Sequence, residues 1–205
     1  VLTENNFDLF RPPTSVDDIL NGTAWRGAGQ LFRLEAVPGS QVSRYMVSWT
    51  DPFIFNTNYS LSLSGFFFQR FYTDWDEQRA GGRVQIGRQW SPEWSSSIAF
   101  RGENVEISNP KFPSPQQLAD VVGDNALTTV RVSLTHDTRD SAFLPGSGHL
   151  VDIAYEQAFG NFTYPRAELE GRQYFTVWSR ADGEAKHTVS LGGHLGRPGD
   201  HRPVF

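Results

Sequence analysis

The chain has 205 residues, with 18 Lys plus Arg against 23 Asp plus Glu and a formal net charge of -5. That length suits one large domain or at most two small ones, and the acidic balance excludes the basic excess of a nucleic-acid binder. The lack of cysteine excludes disulfide frameworks and thiolate-held zinc or iron–sulfur centres. No run approaches the ~18 apolar residues of a membrane-spanning helix, since Phe66-Phe67-Phe68 is followed at once by Gln69 and Arg70. Crossing a membrane with strands is untouched by that argument.

In chain order, apolar and polar residues alternate with a period of two. Candidate strands lie near 1–9, 30–37, 41–50, 59–72, 79–90, 95–106, 128–136, 149–159, 164–178 and 186–196. In 41–50, Tyr45, Val47 and Trp49 oppose Arg44, Met46 and Ser48. In 59–70, Leu61, Leu63, Gly65 and Phe67 oppose Ser60, Ser62 and Ser64. In 128–136, Val130, Val132 and Leu134 oppose Arg131, Ser133 and Thr135, and in 149–159 Val151, Ile153 and Tyr155 oppose Asp152, Ala154 and Glu156. Successive side chains on a strand point to opposite faces, so each segment carries one apolar and one polar face. Many of these segments reach ten residues, beyond the about 5–6 of an ordinary strand and close to the about 9–11 of a tilted membrane-spanning one.

Some connections are tight, at Pro38-Gly39-Ser40, Ser91-Pro92-Glu93 and Ala181-Asp182-Gly183-Glu184. Others are long: 107–127, with a helical turn expected at 116–122, and 10–28, where Ser15 is placed to cap a short helix from Ser15 to Leu20. Aromatics are 14% of the chain and gather at strand ends: Trp49, Phe53 and Phe55; Tyr72 and Trp75; Trp90 and Trp94; Trp178. Arg outnumbers Lys sixteen to two. A soluble β-sandwich or lipocalin-like ligand-binding module accounts for the alternation. A membrane barrel with aromatic girdles and a polar lumen accounts for the alternation, the strand length and the placement of the rings.

Catalytic patterns do not emerge. His136, His149, His187, His194 and His201 stand in no HExxH pattern and read as solvated or lumenal side chains. There is no GxSxG elbow. Gly27-Ala28-Gly29 lacks the third glycine of a dinucleotide loop and leads into a strand. Asn21, Asn58 and Asn161 begin short chance matches to a glycosylation acceptor. No catalytic residue, cofactor or metal site is expected.

One segment is distinctive: DTRDSAFLPGSGHLVDIAYE, from Asp137, Thr138, Arg139 and Asp140 through Pro145 and Gly148 into the next alternating strand. Its carboxylates can accept turn N–H groups, and its arginine can hold a carboxylate or carbonyls. It resembles the turn that marks the bacterial surface antigen family, the BamA-like outer-membrane assembly factors. Asp51-Pro52-Phe53 is similar to the family's strand ending, and Arg202-Pro203-Val204-Phe205 to the segment before its inward-folded loop. The resemblance covers most of 26–205, whereas 10–28 is longer than the brief turn the family leads one to expect.

The resemblance implies an all-β antiparallel up-and-down meander, about ten strands of a sixteen-stranded transmembrane β-barrel in the bacterial outer membrane. Residues 1–205 would form part of that barrel domain, about strands two to eleven, with the POTRA domains, barrel ends, lateral gate and inward-folded loop outside them. Val1 and the apolar ending likewise lead to the expectation of a processed chain or a piece of a longer one. The implied function is non-enzymatic insertion of other barrels through a weak seam and a thinned membrane. The implied partners are outer-membrane lipid, unfolded outer-membrane clients and accessory assembly proteins. A secretion-type relative is the near alternative. Family topology implies a periplasmic position for 137–148 and an outer one for 107–127.

Overall fold

The computed structural model describes residues 1–111, 122–161, 163–180 and 186–198. Its strands are β1 (Leu2–Phe7), β2 (Gln30–Val37), β3 (Val42–Asp51), β4 (Tyr59–Phe71), β5 (Asp76–Gln89), β6 (Trp94–Ser108), β7 (Gly123–Asp137), β8 (Gly148–Gly160), β9 (Tyr164–Ser179) and β10 (Lys186–Pro198). They form one ten-stranded sheet in chain order, each strand antiparallel to the next. The sheet is an open meander with edges at β1 and β10. Strands β3 to β10 run for 10 to 16 residues.

A short helix, α1 (Val16–Leu20), follows the expected cap. The Ser15 hydroxyl accepts from the Asp18 amide while the Asp18 carboxylate accepts from the Ser15 amide. One boundary differs from the sequence reading. β7 begins at Gly123, so the connection expected over 107–127 shortens to 109–122. Asp124 and Asn125, at the end of that polar stretch, pair with Glu106 and Val105 because β6 runs on to Ser108 and offers them a ladder. The helical turn at 116–122 lies almost wholly, and the turn 181–184, His201 and 202–205 entirely, outside the described residues.

Register carries each face across the sheet. Leu61, Ile86, Ile98, Val132 and Tyr155 form one cross-strand row. Ser64, Arg83, Arg101, Thr129 and Ala158 form a row on the other face. No second layer covers either face among the described residues. Even so, Ala154 is 3% and Ala158 0% exposed, whereas Val132 is 50% and Ile153 51% exposed. In a single layer, side chains are buried only by one another, on the face toward which the sheet coils. The polar face is therefore the inner one.

Val132, Leu134, Ile153, Leu169, Val189 and Leu191 stand on the outer face, and by register so do Val130 and Val151. Arg131, Asp152, Glu156, Arg166, Glu168 and Glu170 are on the inner one. A lipocalin would invert this order and bury the valines.

The inner face closes over glycine at mid-sheet. Phe66 of β4 pairs with Gly81 of β5, and the Arg101 guanidinium lies 5.2 Å from the Phe66 ring centroid. A Cβ at Gly81 would lie 2.6 Å from the Gly102 carbonyl oxygen, 2.7 Å from the Glu103 Cβ and 2.8 Å from the Phe66 ring. Gly81→Val is expected to destabilise the folded sheet by about 1–3 kcal/mol through overpacking, read as a lower denaturant midpoint at unchanged slope.

Candidate functional site

The inner face carries a lattice of paired charges. Residues i and i+2 of a strand share a face about 6.6 Å apart, within reach of an Arg–Glu pair. Arg33 holds Glu35 at 2.8 Å, Arg79 holds Glu77, Arg101 holds Glu103, Arg166 holds Glu168, and Arg172 holds Glu170 at 2.6 Å. The Glu35, Glu77 and Glu103 side chains are almost wholly buried. Two arginines reach across strands: Arg44 of β3 bonds Glu35 of β2 at 2.8 Å, and Arg131 of β7 bonds Glu168 of β9 at 2.7 Å. β8, lying between β7 and β9, presents the small Ala154 beside Glu168. Glu35 and Glu168 each hold two guanidiniums, one on each oxygen, and the planar fork of donors that fits a carboxylate at fixed angles accounts for arginine over lysine.

Below this lattice, Ser60, Gln85, Gln89, Ser95, Ser97, Ser133 and Thr135 line an inner cavity of about 580 Å³ with hydroxyls and amides. Ser97 and Ser133 are bonded to each other at 2.8 Å, and Thr135 donates to Asp152 at 2.6 Å.

Beyond Thr135, at the same end of the sheet, stands the β7–β8 connection. Asp137 accepts the Arg139 guanidinium through both oxygens, at 2.8 and 2.7 Å, and the Arg139 amide at 3.1 Å. The Asp137 carboxylate, and after it the Tyr174 phenol, holds the Arg139 guanidinium above its ordinary pKa. Asp140 accepts the Gly146 and Ser147 amides at 2.8 and 3.2 Å, closing the turn around Pro145. Thr138 accepts the His149 amide at 3.0 Å. Gly148 has φ +93°, and a Cβ there would collide with the Thr138 carbonyl. β9 clamps the turn from the side, with Thr176 donating to the Gly146 carbonyl at 2.8 Å and Gln173 to the Gly148 carbonyl at 2.9 Å. Phe143 and Leu144 project from its tip into solvent.

Asp51, Pro52 and Phe53 end β3 at the same rim. One Asp51 oxygen accepts the Phe53 amide at 3.0 Å, and the other accepts the Gln30 side chain at 3.2 Å. Gln30, buried on the outer face, in turn accepts the Trp49 indole N–H and the Leu9 amide, each at 2.9 Å. The strand ending is thus wired to the β1–β2 connection. The structure does not bring Asp51 and Arg139 together in one cluster; they lie at the same end of the sheet, four strands apart.

Gln30, Gln173 and Thr176 carry no sequence signal of these roles, because each acts on a partner at least 19 residues away. The histidines required a correction. His136 and His149 are neither lumenal nor simply solvated. They stand on the outer face, bonded to each other at 2.9 Å, with His136 stacked on Trp94 at 4.2 Å. The alternation Val130, Val132, Leu134, His136 already contains that placement, since His136 shares their parity.

Arg139→Ala removes the partner of a carboxylate that also caps the turn. It is expected to destabilise the full-length barrel by about 1–3 kcal/mol, read as a lower temperature for loss of heat-modifiable gel mobility.

A family model described as the Omp85 superfamily domain matches residues 24–198. A search of curated proteins finds no match. Among solved structures, the crystal structure of BamA from Haemophilus ducreyi lacking POTRA domains 1–3 is similar with a TM-score of 0.61 at 12% identity. The similarity covers 83% of this chain and 36% of that one, so the chain spans about a third of that structure's length. The family match extends from the β1–β2 connection to the end of β10 and takes in the Asp137–Gly148 turn and the Asp51 strand ending; the chain belongs to the Omp85 superfamily.

Proposed function

We propose that this chain is the membrane-embedded barrel portion of a BamA-like factor that inserts and folds other outer-membrane proteins, without an energy-yielding active site. The observation that carries the reading is the division of one long-stranded sheet into a continuous apolar outer face and an inner face of paired charges. Such an outer face is stable against hydrocarbon and costly against water. The tryptophans support it. Trp25, Trp49, Trp90, Trp94 and Trp178 stand at the end of the sheet that carries the β7–β8 turn, and Trp75 stands at the other. Amphipathic rings gather at headgroup level, so this end is read as a membrane interface, and the family topology makes it the periplasmic one.

On this reading residues 1–205 supply about strands two to eleven of a sixteen-stranded barrel, and the seam and POTRA domains belong to the rest of the protein. The open edges of β1 and β10 support that division. The Asp137–Gly148 turn then has a structural role: it fixes register, since a one-residue slip would turn Val151 and Ile153 inward. The unfolded clients and accessory proteins are partners of the whole assembly. A second reading, export of a single client through the lumen, is favoured by the hydroxyl- and amide-rich lining of the inner cavity.

Depletion of the full-length protein in its bacterium separates the two. An assembly factor is expected to lower the folded fraction of many barrel proteins together, measured by heat-modifiable mobility. Loss of one secreted client with the other barrels intact decides for export. Facing is checked by substitution: Val132→Arg is expected to cost about 2–4 kcal/mol at mid-membrane, and Ser133→Arg, turned to the lumen, far less, both measured by denaturant unfolding in lipid vesicles. Equal costs count against a lipid-facing Val132.

A further inference from the structure

The β1–β2 connection, residues 8–29, is longer than a turn that only joins two strands, and it is built rather than slack. α1 is capped by Ser15 and Asp18. The Asp8 amide donates to the Trp25 carbonyl at 2.7 Å, and the Trp25 amide to the Arg11 carbonyl at 2.9 Å. These bonds hold Trp25 at φ +54°, a left-handed conformation that is strained for a bulky residue and marks a segment worth a functional reading. Gln30 anchors the segment through the Leu9 amide, and Asn6 accepts the Gly29 amide at 3.0 Å.

The segment lies over the outer face. Between it and the strands is a groove of about 590 Å³ lined chiefly by apolar side chains: Leu2, Phe7, Ile19, Ala24, Trp25 and Phe32. Phe7 and Phe32 stack at 4.9 Å to form its floor. By register Leu2 pairs with Leu34 and Leu34 with Val47, so the groove continues into the apolar band. Its volume falls within the about 300–1,000 Å³ of small-molecule sites.

The groove also has a polar wall. Arg26 donates to one Glu4 oxygen from Nε at 3.0 Å and from Nη2 at 2.7 Å. This pair stands on a face that is chiefly apolar, and the Arg26 side chain is 55% exposed. Arg26 engages two of its five donors with Glu4. A carboxylate and a guanidinium side by side complement a ligand that carries an ammonium and a phosphate together. A purely anionic ligand would meet the Glu4 charge as repulsion. The segment sits at the tryptophan-rich end, where headgroups lie. On α1, Val16, Ile19 and Leu20 form an exposed apolar stripe at i, i+3 and i+4.

We propose that residues 8–29 and the outer face of β1 and β2 form a binding site for one zwitterionic phospholipid of the phosphoethanolamine type. An acyl chain occupies the groove, the ammonium meets Glu4 and the phosphate meets Arg26. This rests on the reading that the outer face meets lipid.

The test uses full-length protein in detergent micelles, titrated with phosphatidylethanolamine or phosphatidylglycerol carrying the same brominated acyl chains. The Trp25 signal is the fluorescence difference between the parent and Trp25→Phe. Half-quenching of Trp25 is expected at about five-fold less phosphatidylethanolamine than phosphatidylglycerol, with Arg26→Gln and Glu4→Gln each raising that amount by about five-fold. Ile19→Asn, in the connection rather than a strand, is expected to weaken quenching likewise while heat-modifiable mobility is retained. Equal quenching by both lipids, insensitive to all three substitutions, means annular contact only and overturns the site. Tighter response to phosphatidylglycerol overturns the zwitterionic assignment. If none of the tryptophans is quenched by either lipid, the lipid-facing reading falls and the site with it. Quenching of the other tryptophans with Trp25 spared overturns the site alone.

Discussion

Everything in this molecule follows from a sheet that has no second layer among the described residues. A sandwich buries one face of each sheet against the other and leaves the outer faces wet. Here ten strands satisfy their backbone groups laterally, and each face must find its own environment. Coiling gives the two faces different fates. The inner face crowds its side chains until even alanines and carboxylates lose contact with solvent, and the outer face spreads its valines, leucines and isoleucines apart. Apolar surface so dispersed gains little from its own neighbours, and a hydrocarbon surrounding resolves the problem.

Crowding on the inner face makes its chemistry demanding. A buried carboxylate is costly unless paired, and the inner face answers with a guanidinium two residues along the same strand for Glu35, Glu77 and Glu103. Pairing within a strand needs no particular register, so it can form as soon as the strand does. The bonds from Arg44 to Glu35 and from Arg131 to Glu168 do depend on register, and they tie neighbouring and next-neighbouring strands into one lattice. Where bulk must be accommodated, glycine and a ring share the volume, as Gly81 does with Phe66.

The two ends of the sheet are built differently. At the tryptophan-rich rim, the β7–β8 turn is closed by its own carboxylates and clamped from β9, the β3 ending holds Gln30, and Gln30 holds the β1–β2 connection. The first ties β9 to the β7–β8 turn, the second joins β2 and β3 at the end away from their own turn, and the third reaches across a long connection. A rim of this kind keeps strands in register without help from a packed second layer, which is the support a sandwich would otherwise supply.

How much of this was legible beforehand follows the range of each interaction. Alternation is a local property of the pleat, so the sequence by itself determined all ten strands, which residues share a face and the Ser15 cap, while the direction in which the sheet coils decided which face is inner. Residue chemistry within the short Asp137–Gly148 segment pointed to a closed turn and to the family. The start of β7 lies earlier than the polar, proline-bearing stretch 107–127 leads one to expect, because the extended ladder of β6 takes in Asp124 and Asn125. Parity alone already contained the outer position of His136, but its bond to His149 depended on two strands meeting. The Gln30 hub, the clamp from Thr176, the Arg131–Glu168 bond and the groove beside Trp25 were decided by tertiary structure. Each joins residues whose separation along the chain carries no periodic signal, and they meet only once register, set by turns elsewhere, has fixed which residues stand opposite one another.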